Sequence, residues 1–149
     1  MTARAGHESR TKLEASVCKE MARQSLPHEH RSLHFRVRDA TGATAKYSPA
    51  IVARRGTKLF LIEPVPVMKR PIIERLTDFL EQHSPEIVLV VMAPDAKVPK
   101  VPQEAYDEIY PESEVARMTH RIRTQDPEGI VRPFEKPLPE PGITRVKIK

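Results

Sequence analysis

Three histidines, His28, His30 and His34, fall in one short stretch with Glu29 among them. Imidazole and carboxylate groups are zinc ligands, but a His-x-His pair needs further ligands at a recognisable spacing. The chain offers no matching Cys or His pair, so these three are read as solvated loop histidines. The single cysteine, Cys18, excludes an intramolecular disulfide and a four-cysteine zinc site. It stands beside Val17 in a helical pattern and is read as a small, partly buried apolar residue. A second set is basic: Arg36 and Arg38 share one strand face, and Arg54 and Arg55 occupy a turn, with Lys46 and Lys58 nearby. Gathered on one surface they can track a phosphate backbone. The same charges also serve as an ordinary solvated surface that keeps a strand edge from pairing, and both readings stay open. Glu14 follows Thr11 at capping-box spacing, which gives it a structural role at a helix start. Gly-rich phosphate loops, a nucleophile elbow and a dinucleotide fingerprint are all missing from the sequence.

The elements that must position these residues follow from hydrophobic period. Leu13, Val17 and Met21 recur every four residues in "SRTKLEASVCKEMARQSL", one helical stripe closed by Pro27. "RSLHFRVRDA" alternates Leu33, Phe35 and Val37 against His34, Arg36 and Arg38, a strand with one wet, basic face. "KYSPAIVARRG" reads as the next strand, turning tightly at Arg54 to Thr57 into the continuous apolar run "KLFLIE". Pro64 and Pro66 cannot donate ladder bonds, so pairing should end near Glu63. "RPIIERLTDFLEQH" places Ile72, Ile73, Leu76, Phe79 and Leu80 on one helical face, with Pro71 in the first turn. "EIVLVVMA" is the most apolar strand and is expected to be central, parallel to the preceding strand through the helical crossover. A short edge strand in "EAYDEIYP" and a helix with a Val115, Met118, Ile122 stripe follow. Arg117, Arg121 and Arg123 in that helix complement its dipole or add to a basic surface.

The order α-β-β-β-α-β, with a further C-terminal helix, predicts a three-layer α/β/α domain around a mixed sheet of four to five strands. Leu13, Val17, Met21, Phe35, Ile51, Leu59, Leu61, Ile73, Leu76, Leu80, Val88 and Val90 are expected to share one core. The domain is placed at residues 1–125, and 126–149 form a proline-rich basic tail, extended or disordered, with Ile130 to Phe134 pinned to the domain. At 149 residues the chain can bury a real core, which must rest on Leu, Ile and Val because Trp is absent. A formal charge of +5 permits a polyanionic partner without demanding one. No apolar run approaches the ~18 residues of a membrane span. The N-terminus lacks the apolar centre of a secretory signal, so cytoplasmic residence without membrane attachment is expected.

This element order, with "KYSPAIVARRGTKLFLIEPVP" at its centre, resembles the restriction-endonuclease-like fold, the PD-(D/E)XK superfamily. It looks closest to small members of the Holliday-junction-resolvase kind. The resemblance runs from about Ser9 to Ala93 and extends less securely to Gln125. In that family a helix-one glutamate, an aspartate opening the second strand, and an acid plus lysine on the third strand hold Mg²⁺ and activate water. Carried over residue by residue, Glu14 matches the helix glutamate, Pro49 the motif proline and Glu63 the strand acid. Ala50 falls at the aspartate and Val65 at the lysine, so two essential positions are lost. Ala50 offers no oxygen to a hard cation. Lys69, at the start of the second helix, is the residue that can swing towards the space left by Val65, either as a salt-bridge partner of Glu63 or as its catalytic companion.

The resemblance thus implies a catalytically decayed nuclease-fold protein that acts as a nucleic-acid-binding or protein-interaction module. Glu63, Glu14 and Lys69 mark the relic site, and Arg36, Arg38, Arg54 and Arg55 form the nucleic-acid surface. DNA or RNA is the implied partner, with a protein partner through the tail and a homodimer also allowed. No cofactor is expected. Mg²⁺ enters only in the alternative, an endonuclease with a rearranged site in which Glu63 holds the metal. A third reading is a structural subunit that docks through its sheet edge and tail, since extended proline-rich chain loses less entropy on binding.

Overall fold

In a computed structural model, which describes residues 9–83 and 86–126, the chain forms a mixed α/β domain. Helix α1 (Lys12–Arg23) leads to the two-residue strand β1 (Glu29–His30), then β2 (Phe35–Arg38), β3 (Thr44–Tyr47), β4 (Ile51–Arg55) and β5 (Lys58–Pro64). Helix α2 (Arg70–Gln82) crosses to β6 (Ile87–Ala93). Two 3₁₀ segments then precede β7 (Glu108–Pro111), and a third precedes helix α3 (Val115–Arg123). The proposed tail contacts of Ile130 to Phe134 lie outside the described residues, as does the tail itself after Asp126. Among the described residues no helix is long and apolar enough to cross a membrane.

Five strands form one sheet in the order β1-β4-β5-β6-β7. The first two pairings are antiparallel and the last two parallel. The β4–β5 hairpin turns at Gly56, whose φ of 60° is the left-handed conformation that glycine adopts without a Cβ penalty. Parallel pairing of β6 with β5 is what a helical crossover requires. β6 is interior, but the strand at the centre of the five is β5.

The structure corrects the expected three-strand meander. "KYSPAIVARRG" is not one strand: it breaks between Tyr47 and Ile51 because Pro49 cannot donate to a ladder. The first half, β3, pairs with β2 in a separate two-stranded sheet, while β4 joins the main sheet. The edge place beside β4 is taken by β1, a strand too short to leave a period in the sequence.

The single expected core is also two. Successive side chains of a strand point to opposite faces, so a covered sheet divides its apolar residues. On one face Phe60, Ile62, Val88 and Val90 meet Leu13, Val17 and Met21 of α1 and Met118 and Ile122 of α3. On the other, Leu61, Leu89 and Val91 meet Leu76, Phe79 and Leu80 of α2. Phe35, Leu59 and Ile73 are only half-buried against this second cluster, and Ile72 is exposed.

Helix α3 is fastened by polar contacts as well. Glu108 on β7 is fully buried and accepts hydrogen bonds from Arg121 at 2.7 Å and from the Tyr110 hydroxyl at 3.0 Å. Burial pushes the Glu108 carboxyl up to about 7 despite the opposing charge and hydrogen bond of Arg121.

Leu76 is 1% exposed and Ile72 is 40% exposed on the same helix. Leu76→Ala is therefore expected to lower the unfolding free energy by about 2–5 kcal/mol. Ile72→Ala should change it by less than about 1 kcal/mol. Urea denaturation of both variants measures the difference, and equal costs would contradict the placement of α2.

Candidate functional site

Glu14 begins as a helix-start residue and ends as something else. Thr11 caps α1, its hydroxyl accepting from the Glu14 amide at 3.0 Å. The expected reciprocal arm does not return to Thr11: the Glu14 carboxylate accepts from the amide of Arg10 at 3.2 Å. Its stronger partners come from β1 and the residue after it. His30 Nδ1 lies 2.6 Å from Oε2, and the Arg31 guanidinium straddles both oxygens at 2.9 and 2.5 Å. A forked arginine–carboxylate pair is the geometry in which two parallel hydrogen bonds add to the charge attraction. Burial raises the Glu14 pKa, but the hydrogen bonds from Arg31 and His30 and the charge of Arg31 outweigh it and hold the carboxyl below its ordinary range.

Arg31 stands at φ 51°, left-handed backbone that costs a non-glycine residue about 1–2 kcal/mol. The conformation turns the chain out of β1 while the guanidinium reaches Glu14 and the amide donates to the Ala50 carbonyl at 3.1 Å. The Ala50 amide in turn donates to Glu63 Oε2 at 3.3 Å, and the Tyr47 hydroxyl donates to the same oxygen at 2.5 Å. A continuous polar run thus joins Glu14, Arg31, Ala50, Glu63 and Tyr47. Desolvation pushes the Glu63 carboxyl up to about 7, although Tyr47, Ala50 and the charge of Arg31 all pull it down. Desolvation and then the charge of Glu63 drive the Tyr47 phenol well above its ordinary range.

Lys69 is not a member of this run. It is exposed, caps α2 with its backbone, and its carbonyl accepts from Ile72 and Ile73. The described hydrogen-bond partners of Glu63 are Tyr47 and Ala50 instead. Val65 is 2% exposed and belongs to the apolar cluster on the α2 side.

The four arginines divide between two sheets. Arg36 and Arg38 are exposed on β2, with Arg36 directly opposite Lys46 of β3. Gln82 of α2 holds the backbone of Arg38 by both its amide and its carbonyl, at 2.9 and 2.7 Å. Arg54 and Arg55 lie at the far end of β4, in the five-stranded sheet.

The reading of the three histidines as solvated needs correction for two of them. His34 is exposed and bonded to Ser48. His30 is 5% exposed, and His28 is half-buried with its Nδ1 2.9 Å from the Leu26 carbonyl. Both direct Nε2 at Cys18 Sγ, at 3.2 Å for His28 and 3.3 Å for His30. Two spacings bring the three together. Cys18 follows Glu14 by one helical turn on α1, and His28 and His30 are two apart along an extended segment, so Glu29 faces away.

Glu14, His30 and Cys18 stand in the order of acid, base and thiol nucleophile. Burial and then the negative charge of Glu14 raise the Cys18 pKa, however, opposite to what an activated thiolate needs. A sulfur with two imidazole nitrogens is also a donor set for a borderline-soft cation, which has use for the second histidine.

Glu63 supplies a pH test of the run. In the unfolded chain its carboxyl ionises near 4.5; in the folded protein it keeps its proton until about 7. The folded state therefore binds the extra proton between those values. Its stability is full below about 4.5 and falls as pH rises through 7, by on the order of 2–3 kcal/mol. Glu63→Gln keeps an acceptor for Tyr47 and Ala50 and removes the titration. Urea denaturation at pH 5 and pH 8 is expected to show a smaller loss for the variant than for the parent; identical pH dependence would refute the assignment.

The chain matches no protein-family model, no curated protein and no solved structure, so what these residues do must be argued from their chemistry.

Proposed function

We propose that this chain is a restriction-endonuclease-like protein whose cleavage centre has decayed and which serves as a nucleic-acid-binding module. The order α1, antiparallel β4–β5, crossover α2 and parallel β6 supports the comparison. The observation that carries it is the polar run itself. The positions that match the family's helix acid, strand aspartate and strand acid, Glu14, Ala50 and Glu63, are tied together through Arg31.

The contents of that run argue against cleavage. Mg²⁺ needs several hard, charged oxygens and sheds its water reluctantly. Ala50 contributes only backbone, and both oxygens of Glu14 already accept from Arg31. Burial pushes the Glu63 carboxyl up to about 7, and it is bonded to Tyr47. The aliphatic side chain of Val65 is buried where the family's lysine would assist water. What persists is a scaffold with a basic hairpin: Arg36, Arg38 and Lys46 are exposed on β2 and β3, able to neutralise phosphates without reading bases.

Binding of this kind releases counterions, so affinity should fall steeply with salt. Fluorescence anisotropy with duplex, four-way junction and single-stranded DNA and RNA, at about 50 and 200 mM salt, measures it. Replacing Arg36 and Arg38 by alanine is expected to reduce the log–log slope by about 2. Failure to bind any of these at low salt would remove the nucleic-acid role and leave protein interaction. No strand cleavage is expected with Mg²⁺ or Mn²⁺. Metal-dependent cleavage that disappears in Glu63→Gln would instead mean a working, rearranged site.

A further inference from the structure

Beside the polar run, and independent of any nuclease comparison, we infer that Cys18, His28 and His30 form a site for one Zn²⁺ ion, with solvent or an exogenous ligand completing the tetrahedron. The sulfur and the two ring nitrogens all lie within 4.8 Å of one another. Tetrahedral zinc with a thiolate and imidazoles sets sulfur and nitrogen about 3.5 Å apart. The observed 3.2 and 3.3 Å fall short by a few tenths of an ångström, within reach of small side-chain rotations.

The hydrogen bonds on the far side of each ring fix the tautomer that a metal needs. The Leu26 carbonyl can only accept, so His28 Nδ1 carries the hydrogen there. The Glu14 carboxylate, held by the Arg31 fork, can likewise only accept from His30 Nδ1. In its neutral form each ring then presents a lone pair on Nε2, and both Nε2 atoms face the same sulfur. A cation between the three atoms can take one lone pair from each of the two nitrogens and from the sulfur. A carboxylate and a carbonyl behind the two histidines are the usual supports of zinc-bound imidazole. Binding expels the thiol proton to solvent and forms one metal–sulfur and two metal–nitrogen bonds. The donor set selects Zn²⁺ or a similar transition ion over Mg²⁺ and Ca²⁺. Cys18 and His28 are only half-buried, which leaves an approach from solvent.

The test uses the full, untagged, reduced chain, first stripped with a chelator. Zn²⁺ is titrated alone against a chromophoric competitor, and Co²⁺ alone serves as the spectroscopic probe. One equivalent of Zn²⁺ is expected, and a Co²⁺ complex showing a thiolate charge-transfer band with tetrahedral ligand-field intensity. Cys18→Ser should abolish that band. His28→Ala, at a half-buried position outside the helices, should weaken Zn²⁺ binding by at least about 10-fold and remove its effect on thermal unfolding, with circular dichroism confirming the fold. Glu14→Gln, which bears on the site through His30 and also weakens the Arg31 fork, should cost about 10–100-fold in affinity, with circular dichroism again confirming the fold. Lack of stoichiometric Zn²⁺ uptake by the parent chain would overturn the inference. So would a Co²⁺ spectrum unchanged by Cys18→Ser, or Zn²⁺ affinity unchanged by His28→Ala.

Discussion

A carboxylate that is 2% exposed must be paid back in full by its neighbours, and the Glu14 side chain sets that demand for one end of the molecule. The charge cannot be left alone: removing one partner from a buried pair typically costs about 3–5 kcal/mol. Arg31 and His30 answer it from β1 and the residue after it, so the same contacts that satisfy the charge also fasten α1 to the edge of the sheet. They hold Arg31 in a left-handed backbone and bring its amide to Ala50. They also fix the orientation of the His30 ring, and with it where Nε2 points. The β1 edge, the turn after it and the Cys18 cluster all follow from one compensated charge.

Two other desolvated carboxylates show that the solution is particular to each position. Glu108 is also fully buried, and desolvation pushes it up to about 7 although Arg121 and Tyr110 both donate to it. Among the described residues Glu63 meets a phenol and an amide and no direct cation, and desolvation pushes it too up to about 7. Glu14, with a forked arginine and a histidine, is the one of the three held below its ordinary range. The depth of desolvation and the donors facing each acid together set the direction in which it is pushed.

The long elements were legible because their periods are local. Leu13, Val17 and Met21 declare α1, and Leu76, Phe79 and Leu80 declare the buried face of α2, without help from the rest of the chain. β1 left no signal, since two residues have no period, and its existence depends on pairing with β4 some twenty residues on. The division of the apolar residues into two clusters was contained in the alternation of Phe60, Leu61 and Ile62, but a continuous apolar run hides its own faces. In the site, Glu14 and Glu63 were visible as acids, whereas Arg31 and Tyr47 were not, because both act through contacts sixteen or seventeen residues away in the chain. Cys18 and the His28–His30 pair did carry a readable pattern. One helical turn separates Cys18 from Glu14, and a strand repeat separates the two histidines. A search for pairs of ligands passes over a single cysteine on a different element.

The charges along the polar run bear on the reading proposed above, in which this is a nuclease-like centre without its metal. An active centre of the restriction-endonuclease-like kind balances several carboxylates with a divalent ion and a lysine. On that reading Ala50 and Val65 stand where the family has an aspartate and a lysine, which removes one charge of each sign. Two carboxylates remain. Arg31 neutralises Glu14 directly, and Glu63 can take a proton near neutral pH. With a proton on Glu63 the sum is close to zero without any ion. The arginine is covalently part of the chain and loses no translational entropy to stay there, whereas a bound ion would have to displace it. Replacing only Ala50 by aspartate or only Val65 by lysine would therefore upset that balance, and would put a charge against buried apolar neighbours.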